Sequence, residues 1–165
     1  KISYAITVCN ELDEITRLLN FLIKKKRKQD EIIILFDKAH GTPEVWDRLI
    51  ELKGDDCCEY HAKTFKHHFA DWKNQLTDLC SGDYIFQIDA DKWRWNVDSE
   101  DRVNWPDYQW RIWKNKPEIR WVNKVHEKLE GFKTYAPLPA LPELALYHPK
   151  TIQKQIKQNN YYDTL

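Results

Sequence analysis

Ile32-Ile33-Ile34-Leu35-Phe36 is an apolar run with no polar position inside it. A strand with one wet face alternates apolar and polar residues, so an unbroken run fits a strand covered on both faces, as at the centre of a parallel sheet. The flanking segments agree with such a sheet. Ile2 to Val8 is rich in β-formers, and after Cys9-Asn10-Glu11 the residues Leu12, Ile15, Leu18, Leu19 and Leu22 recur at helical spacing. The apolar run stops at Asp37. Beyond a polar loop, Thr42-Pro43 reads as an N-cap followed by proline at the first helical position, with Val45, Trp46, Leu49, Ile50 and Leu52 as the buried side of the helix. Gly54-Asp55-Asp56 breaks that helix, and Cys57 to His61 reads as a short strand. A third helix is predicted from Phe69 to Cys80, with Phe69, Trp72, Leu76, Leu79 and Cys80 as its apolar stripe. Tyr84 to Ile88 is the next buried strand. The order βαβαβαβ predicts an α/β fold, a mostly parallel sheet flanked by helices that binds ligands beyond the carboxyl ends of its strands.

The length of 165 residues fits one domain, 1–165. Lysine plus arginine equal aspartate plus glutamate at 26 each, so no overall field draws the chain to nucleic acid or to an anionic membrane. The basic run Lys24 to Lys28 follows a helix, where cations favour the carboxyl terminus; a membrane or phosphate contact is the other reading. The cysteines at 9, 57, 58 and 80 lack metal-ligand spacing and are expected as reduced thiols. No apolar run reaches membrane-spanning length and no signal-peptide pattern opens the chain, so a cytoplasmic location is expected. Lys1 stands where a starting methionine would, so the natural chain is expected to begin earlier.

Asp89-Ala90-Asp91 directly follows the strand at Tyr84 to Ile88. Where a strand leaves its sheet, two carboxylates one residue apart can reach one opening, and Mg²⁺ or Mn²⁺ is commonly shared between such acids and substrate phosphates. The spacing alone is weak, as the chance cluster Asp55-Asp56 illustrates. Asn10, Glu11, Asp37, Asp89 and Asp91 together are stronger, because all fall at strand carboxyl ends. The second half changes character: six of the eight tryptophans lie between Trp93 and Trp121, followed by Val122 to Glu127, a proline-rich stretch from Pro137 to Pro142, and Leu144 to His148. These tryptophans read mostly as core or sheet-covering residues, although aromatic faces also stack on sugars. Trp110 and Ile112 alternate with Arg111 and Trp113, so one face of that segment is expected to be buried. Thr151 to Tyr162 reads as a polar helix or tail packing through Ile152, Ile156 and Tyr161 or Tyr162.

In order along the chain, Ile6 to Glu11, Ile32 to Asp37, Phe69-Ala70-Asp71-Trp72-Lys73-Asn74, Ile88-Asp89-Ala90-Asp91, Gln109-Trp110-Arg111-Ile112 and Val125-His126-Glu127 resemble a family 2 glycosyltransferase of small bacterial or viral type. The resemblance implies the GT-A fold, a Rossmann-like sheet with a smaller mixed C-terminal acceptor half. It further implies a nucleotide-sugar-binding half at 1–91 and an acceptor-binding half at 92–165. Transfer of a sugar from a nucleotide diphosphate sugar to a glycan, lipid-linked or protein hydroxyl, usually with inversion, would follow. By the same resemblance Thr7, Cys9, Asn10, Glu11 and Asp37 would hold base and ribose, Asp89 ribose or metal, and Asp91 the divalent ion. Lys73 and Asn74 match a basic-plus-asparagine pair facing the nucleotide; an exposed helix face is the other reading.

Inverting transfer needs a general base for the acceptor proton. Glu127 is the first candidate, and Asp107 competes with it. His126 is expected to orient Glu127, to touch the diphosphate, or to be a packed histidine. Arg111 is a candidate for phosphate or acceptor recognition through its planar guanidinium. His148 falls where some GT-A enzymes contribute a late metal ligand, and a strand-end histidine is the other reading. In one place the chain departs from its relatives: Lys92-Trp93 follows the acid pair at once. A mobile loop is therefore expected to be missing between Asp91 and Lys92. A non-catalytic nucleotide-sugar or carbohydrate-binding module of the same fold is the alternative function. A nucleotidyltransferase is disfavoured because Thr7 to Asp13 contains no glycine.

Overall fold

The computed structural model describes residues 1–52, 58–90 and 108–141, together with 146, 156, 160–162 and 164. Within them run β1 (Ile2–Val8), α1 (Leu12–Lys25), β2 (Glu31–Asp37), α2 (Pro43–Glu51), β3 (Cys58–Lys63), α3 (Phe69–Thr77), β4 (Tyr84–Asp89), β5 (Ile112–Lys114), β6 (Arg120–Val122) and β7 (Lys128–Glu130). The predicted βαβαβαβ order is present. The main sheet has the order β3-β2-β1-β4-β5. Its first four strands are parallel, β5 is antiparallel to β4, and β6 pairs with β7 in a small separate sheet.

The apolar run is buried for the reason its composition suggests. Every residue of β2 is buried, and Ile32, Ile33, Ile34 and Leu35 are wholly enclosed. Successive side chains of a strand point to opposite faces. Ile32, Ile34 and Phe36 therefore join Ile6, Val8 and Ile88 under Ile15, Leu18 and Leu19 of α1 and Val45 and Leu49 of α2. Ile33 and Leu35 join Ala5 and Ile85 on the other face, beneath Ala70, Trp72 and Leu76 of α3 and with Trp113, Trp121 and Leu129. Each fully buried aliphatic side chain contributes about 1.5–3 kcal/mol relative to exposure. Helices thus cover both faces of the sheet, the doubly wound α/β arrangement predicted from the residue pattern.

Two local expectations are corrected. Helix α3 ends at Thr77 rather than at Cys80. The chain tightens there into Leu79 N–H to Leu76 O and Cys80 N–H to Thr77 O bonds, both 3.1 Å, the closer i−3 pattern common at helix ends. Ile50 is 45% exposed, because it lies one residue, about 100° of rotation, past the buried Leu49. On β5 one face is buried, as the alternation predicts: it is that of Trp113, which stands opposite the enclosed Ile85, while Ile112 is 56% exposed at the sheet edge. Thr42 is the N-cap of α2 with Pro43 next to it, but its side chain makes no capping bond.

The strand order reverses between β1 and β4. The chain moves outward from β1 to β2 and β3, then returns to place β4 on the other side of β1. Such a reversal opens a crevice at the carboxyl ends of the two diverging strands.

Candidate active site

Thr7 and Asp89 are paired across β1 and β4, Thr7 one residue before the end of β1 and Asp89 at the last residue of β4. Their side chains share the α3 face of the sheet with Ala5 and Ile85, and Thr7 Oγ1 lies 3.5 Å from Asp89 Oδ1. Arg111, just before β5, donates from its guanidinium to Asp89 Oδ2 at 3.2 Å. The antiparallel pairing places it there: Gln87 N–H donates to Arg111 O at 2.9 Å, so Arg111 stands beside β4 two residues below Asp89. Both side chains are mostly buried, with relative exposures of 17% and 20%, so the pair is screened far less than a surface ion pair. Below it the amide of Gln87, 1% exposed, has neither its nitrogen nor its oxygen hydrogen-bonded among the described residues.

The loop from β1 into α1 contains no glycine and is held instead by an acid. Glu11 is the N-cap of α1 yet turns its carboxylate backwards, where Oε2 accepts from Cys9 N–H at 2.8 Å and Asn10 N–H at 3.1 Å. Asp37 does similar work at the end of β2. Its Oδ1 accepts from Ala39 N–H at 3.0 Å and Phe65 N–H at 3.1 Å, and its Oδ2 meets His40 Nδ1 at 2.7 Å. Burial pushes this carboxyl up, but the donors from Phe65, His40 and Ala39 outweigh it and hold it below its usual value. Cys9 lies close to both acids: burial first, then the charges of Glu11 and Asp37, push its thiol up to about 11. Cys9, Cys58 and Cys80 are thiols in no disulfide.

A third group forms on the α3 side. Lys73 Nζ is ion-paired and hydrogen-bonded to Glu127 Oε1, and it stands 4.4 Å from the centroid of the Trp121 ring. Asn74, the next residue, donates to Trp121 O and accepts from Trp121 N–H, both at 2.9 Å. The Asn74 amide is thereby committed to joining α3 to β6. His126, beside Glu127, has φ 51° and an exposed ring 5.7 Å from Tyr162. Trp113 meets Trp121 edge-on at 5.5 Å, so buried indoles link the Arg111 side of the site to the Lys73 side.

The structure therefore joins Thr7, Asp89 and Arg111 in one group, Cys9, Asn10, Glu11 and Asp37 in a second, and Lys73, Asn74 and Glu127 in a third. Asp91, Asp107 and His148 lie outside the described residues, as does the spacing between Asp91 and Lys92. Among the described residues no three His, Cys, Asp or Glu side chains assemble as a metal site. Asp89 suits a hard cation chemically, since a carboxylate offers about four lone-pair sites of the oxygen type Mg²⁺ and Mn²⁺ prefer. Sequence reasoning missed His40 and His67, whose rings meet at 5.5 Å above β2 and β3. The Asp37-x-x-His40 spacing at a strand end was the one available signal. Among the described residues no helix is long and apolar enough to cross a membrane.

The fold is similar to that of TarS 1–349 of S. aureus, at 19% identity and TM-score 0.50, over 56% of this chain and 28% of that one. The same TarS fragment solved in complex with UDP-GlcNAc matches at 19% identity and TM-score 0.50, over 56% and 27% of the two chains. A mannosyltransferase from Pyrobaculum calidifontis, solved with GDP-Man and Mn²⁺, matches at 17% identity and TM-score 0.49, over 56% and 28%. The chain thus spans little more than a quarter of the length of these structures. No curated protein sequence matches it. The model of the family described as glycosyl transferase family 2 matches residues 3–94, more than half of the sequence and all the strands that build the crevice between β1 and β4. The chain belongs to glycosyl transferase family 2.

Proposed function

We propose that the chain transfers a sugar from a nucleoside diphosphate sugar to a hydroxyl acceptor with inversion, using residues 1–91 for the donor and 92–165 for the acceptor. The observation that carries this reading is the grouping of Thr7, Asp89 and Arg111 at the crevice between β1 and β4, in a chain whose family model covers those same strands. The UDP-GlcNAc complex of TarS, which shares the fold, supports a donor of this class.

Glu127 takes the proton from the acceptor hydroxyl as that oxygen attacks the anomeric carbon, and the bond from that carbon to the diphosphate oxygen breaks with the electron pair leaving on the diphosphate. Lys73, paired with Glu127, holds the carboxylate in place and supplies a cation beside it. Arg111 orients Asp89 and contributes positive charge where the leaving group becomes more negative. A divalent cation held by Asp89 and Asp91 would neutralise the diphosphate when bound. A module of the same fold without turnover is favoured by one observation: Lys73 occupies a lone pair of the Glu127 carboxylate.

The test is a screen of uridine, guanosine and thymidine diphosphate sugars for Mn²⁺-dependent hydrolysis and thermal stabilisation. Asp91→Ala is expected to abolish metal-dependent donor binding, whereas Glu127→Ala keeps binding and loses transfer. Equal loss of donor binding in both variants would overturn the assigned roles, and donor binding by the native chain without any turnover would select the binding module.

A further inference from the structure

Gln87 stands inside β4 on the face that α3 covers. It is paired with Ala5 of β1, a residue of the α3-side core, and it lies on the same face as Ile85 below and Asp89 above. Arg111 is its neighbour on the other side. Gln87 N–H donates to Arg111 O, and Phe86 and Ile112 form the next pair, so Gln87 and Arg111 stand directly opposite one another where the chain enters β5. Directly opposite residues project from one face with Cβ atoms about 5 Å apart. The Arg111 guanidinium therefore passes beside the Gln87 side chain on its way to Asp89 Oδ2, while Ala5 offers only a methyl group on the β1 side.

A primary amide in that position needs partners. Gln87 is 1% exposed, and among the described residues neither Nε2 nor Oε1 is hydrogen-bonded. Leaving bulk water without a replacement costs the full desolvation of each polar atom, so buried amides are satisfied, commonly by an internal water that makes several hydrogen bonds. The other orphaned atoms share this layer. Trp113 Nε1 and Trp121 Nε1 belong to the α3-side core, and Thr77 Oγ1 stands at the end of α3. The described residues of the core under α1 and α2 contribute none. Three nitrogen donors are thus set against one amide oxygen and one hydroxyl. A water accepts as well as donates and balances that excess, which a further donor group would not.

We propose that Gln87 is a positioning residue, whose buried amide holds an internal water that bridges to the Arg111 guanidinium and keeps Arg111 against Asp89. The water donates to Gln87 Oε1 and accepts from the guanidinium, whose N–H groups outnumber the two oxygens of the Asp89 carboxylate. A bridging water is enthalpically close to a direct hydrogen bond. An arginine fixed from two sides presents its charge in one place, which is what a preorganised electrostatic group requires. The inference rests on the transfer reading above, in which Arg111 faces the charge of the leaving diphosphate.

The experiment has a structural arm and a kinetic arm. A crystal structure of the native chain, at a resolution that shows ordered water, is expected to place one between Gln87 Oε1 and the Arg111 guanidinium. An amide bonded directly to a protein group, or without water beside it, overturns the inference. Thermal melts and steady-state kinetics then compare the native chain, Gln87→Met, Arg111→Met and the double variant. Gln87→Met keeps the length of the side chain without its amide, and is expected to lower kcat about tenfold with KM nearly unchanged. In the Arg111→Met background it is expected to have no further effect on kcat, because the bridge has already lost its other end. An equal loss in both backgrounds marks a packing role and overturns the inference. A Gln87→Met chain that melts higher with kcat unchanged does the same, since that is the behaviour of an amide with no partner to lose. If Gln87→Met fails to fold, Gln87→Leu replaces it and is read by the same criteria. Absence of turnover by the native chain with every nucleoside diphosphate sugar overturns the transfer reading instead, and the crystal structure alone then decides the bridge.

Discussion

Lys73 of α3 and Glu127 of the turn between β6 and β7 form one ion pair across 54 residues of sequence, with side-chain exposures of only 12% and 18%. The Trp121 ring flanks the ammonium, so the pair is enclosed by an indole face as well as by charge. Lys73→Met leaves the carboxylate without its cation in a mostly dry position. A stability loss of about 2 kcal/mol is expected. For Glu127→Gln, kcat is expected to fall about 10²-fold or more, as for loss of a general base, with nucleotide affinity retained. Chemical denaturation and steady-state kinetics on both variants check this pair of outcomes.

Asn74, next to Lys73, is committed to the backbone of β6. Its amide closes two hydrogen bonds with the Trp121 backbone. Asn74→Ala strands a backbone donor and acceptor that are shielded from water, and is expected to cost about 2 kcal/mol in stability. The measurement is the thermal midpoint with and without nucleotide. A ligand contact would instead show as a loss confined to the nucleotide-dependent increment.

Acid sensitivity is expected at the opposite end of the sheet, where β2 begins. Arg27 grips Asp30 through Nε at 2.8 Å and through its second nitrogen at 2.9 Å, and Ile2 N–H adds a bond at 2.8 Å. These donors, led by Arg27, hold the Asp30 carboxyl at about 2. Burial raises Glu31, but Lys1, Ser3 and Ser81 outweigh it and bring it to about 2 as well. A carboxyl lowered on folding stabilises the native state above its unfolded pKa, and that stability is lost as pH falls through the folded value. Each group then contributes on the order of 2–3 kcal/mol at neutral pH, lost between about pH 4.5 and pH 2. Unfolding monitored from pH 7 to pH 2 is expected to be shallower over that window in Glu31→Gln.

Gly131 sits at φ 90°, and a Cβ there would lie 1.8 Å from Glu118 O. Gly131→Ala combines a left-handed backbone with a backbone clash at the end of β7, so the small β6–β7 sheet must shift. A cost of about 2 kcal/mol or more is expected, with loss of transfer exceeding loss of nucleotide affinity, because Glu127 lies between β6 and β7 whereas Thr7 and Asp89 are carried by β1 and β4. Circular dichroism melts together with nucleotide titration check it.

The parallel sheet was legible because its signals are local. Five apolar residues between Glu31 and Asp37 require cover on both faces, and the i, i+3, i+4 spacing of Ile15, Leu18, Leu19 and Leu22 faces α1 inward wherever it packs. Cys80 misled the reading of α3 because apolar periodicity continues through the tightened turn after Thr77. Alternation at residues 110–113 announced one buried face of β5 without saying which, and the pairing of Trp113 with Ile85 decided it.

From the residue order alone came the α/β architecture, the strand-end acids and the relation to the glycosyltransferases, since periodicity and motif spacing are written within short stretches of chain. Which of those acids bond to which partners was decided by the tertiary structure. Nothing in the local sequence says that Glu11 folds back onto its own loop, that Asp37 is closed off by Phe65 and His40, that Arg111 reaches Asp89, or that Lys73 finds Glu127. These contacts depend on the register of strands and the placement of α3 against β6, and a carboxylate's role follows from the donors that such long-range packing brings within about 3 Å of it.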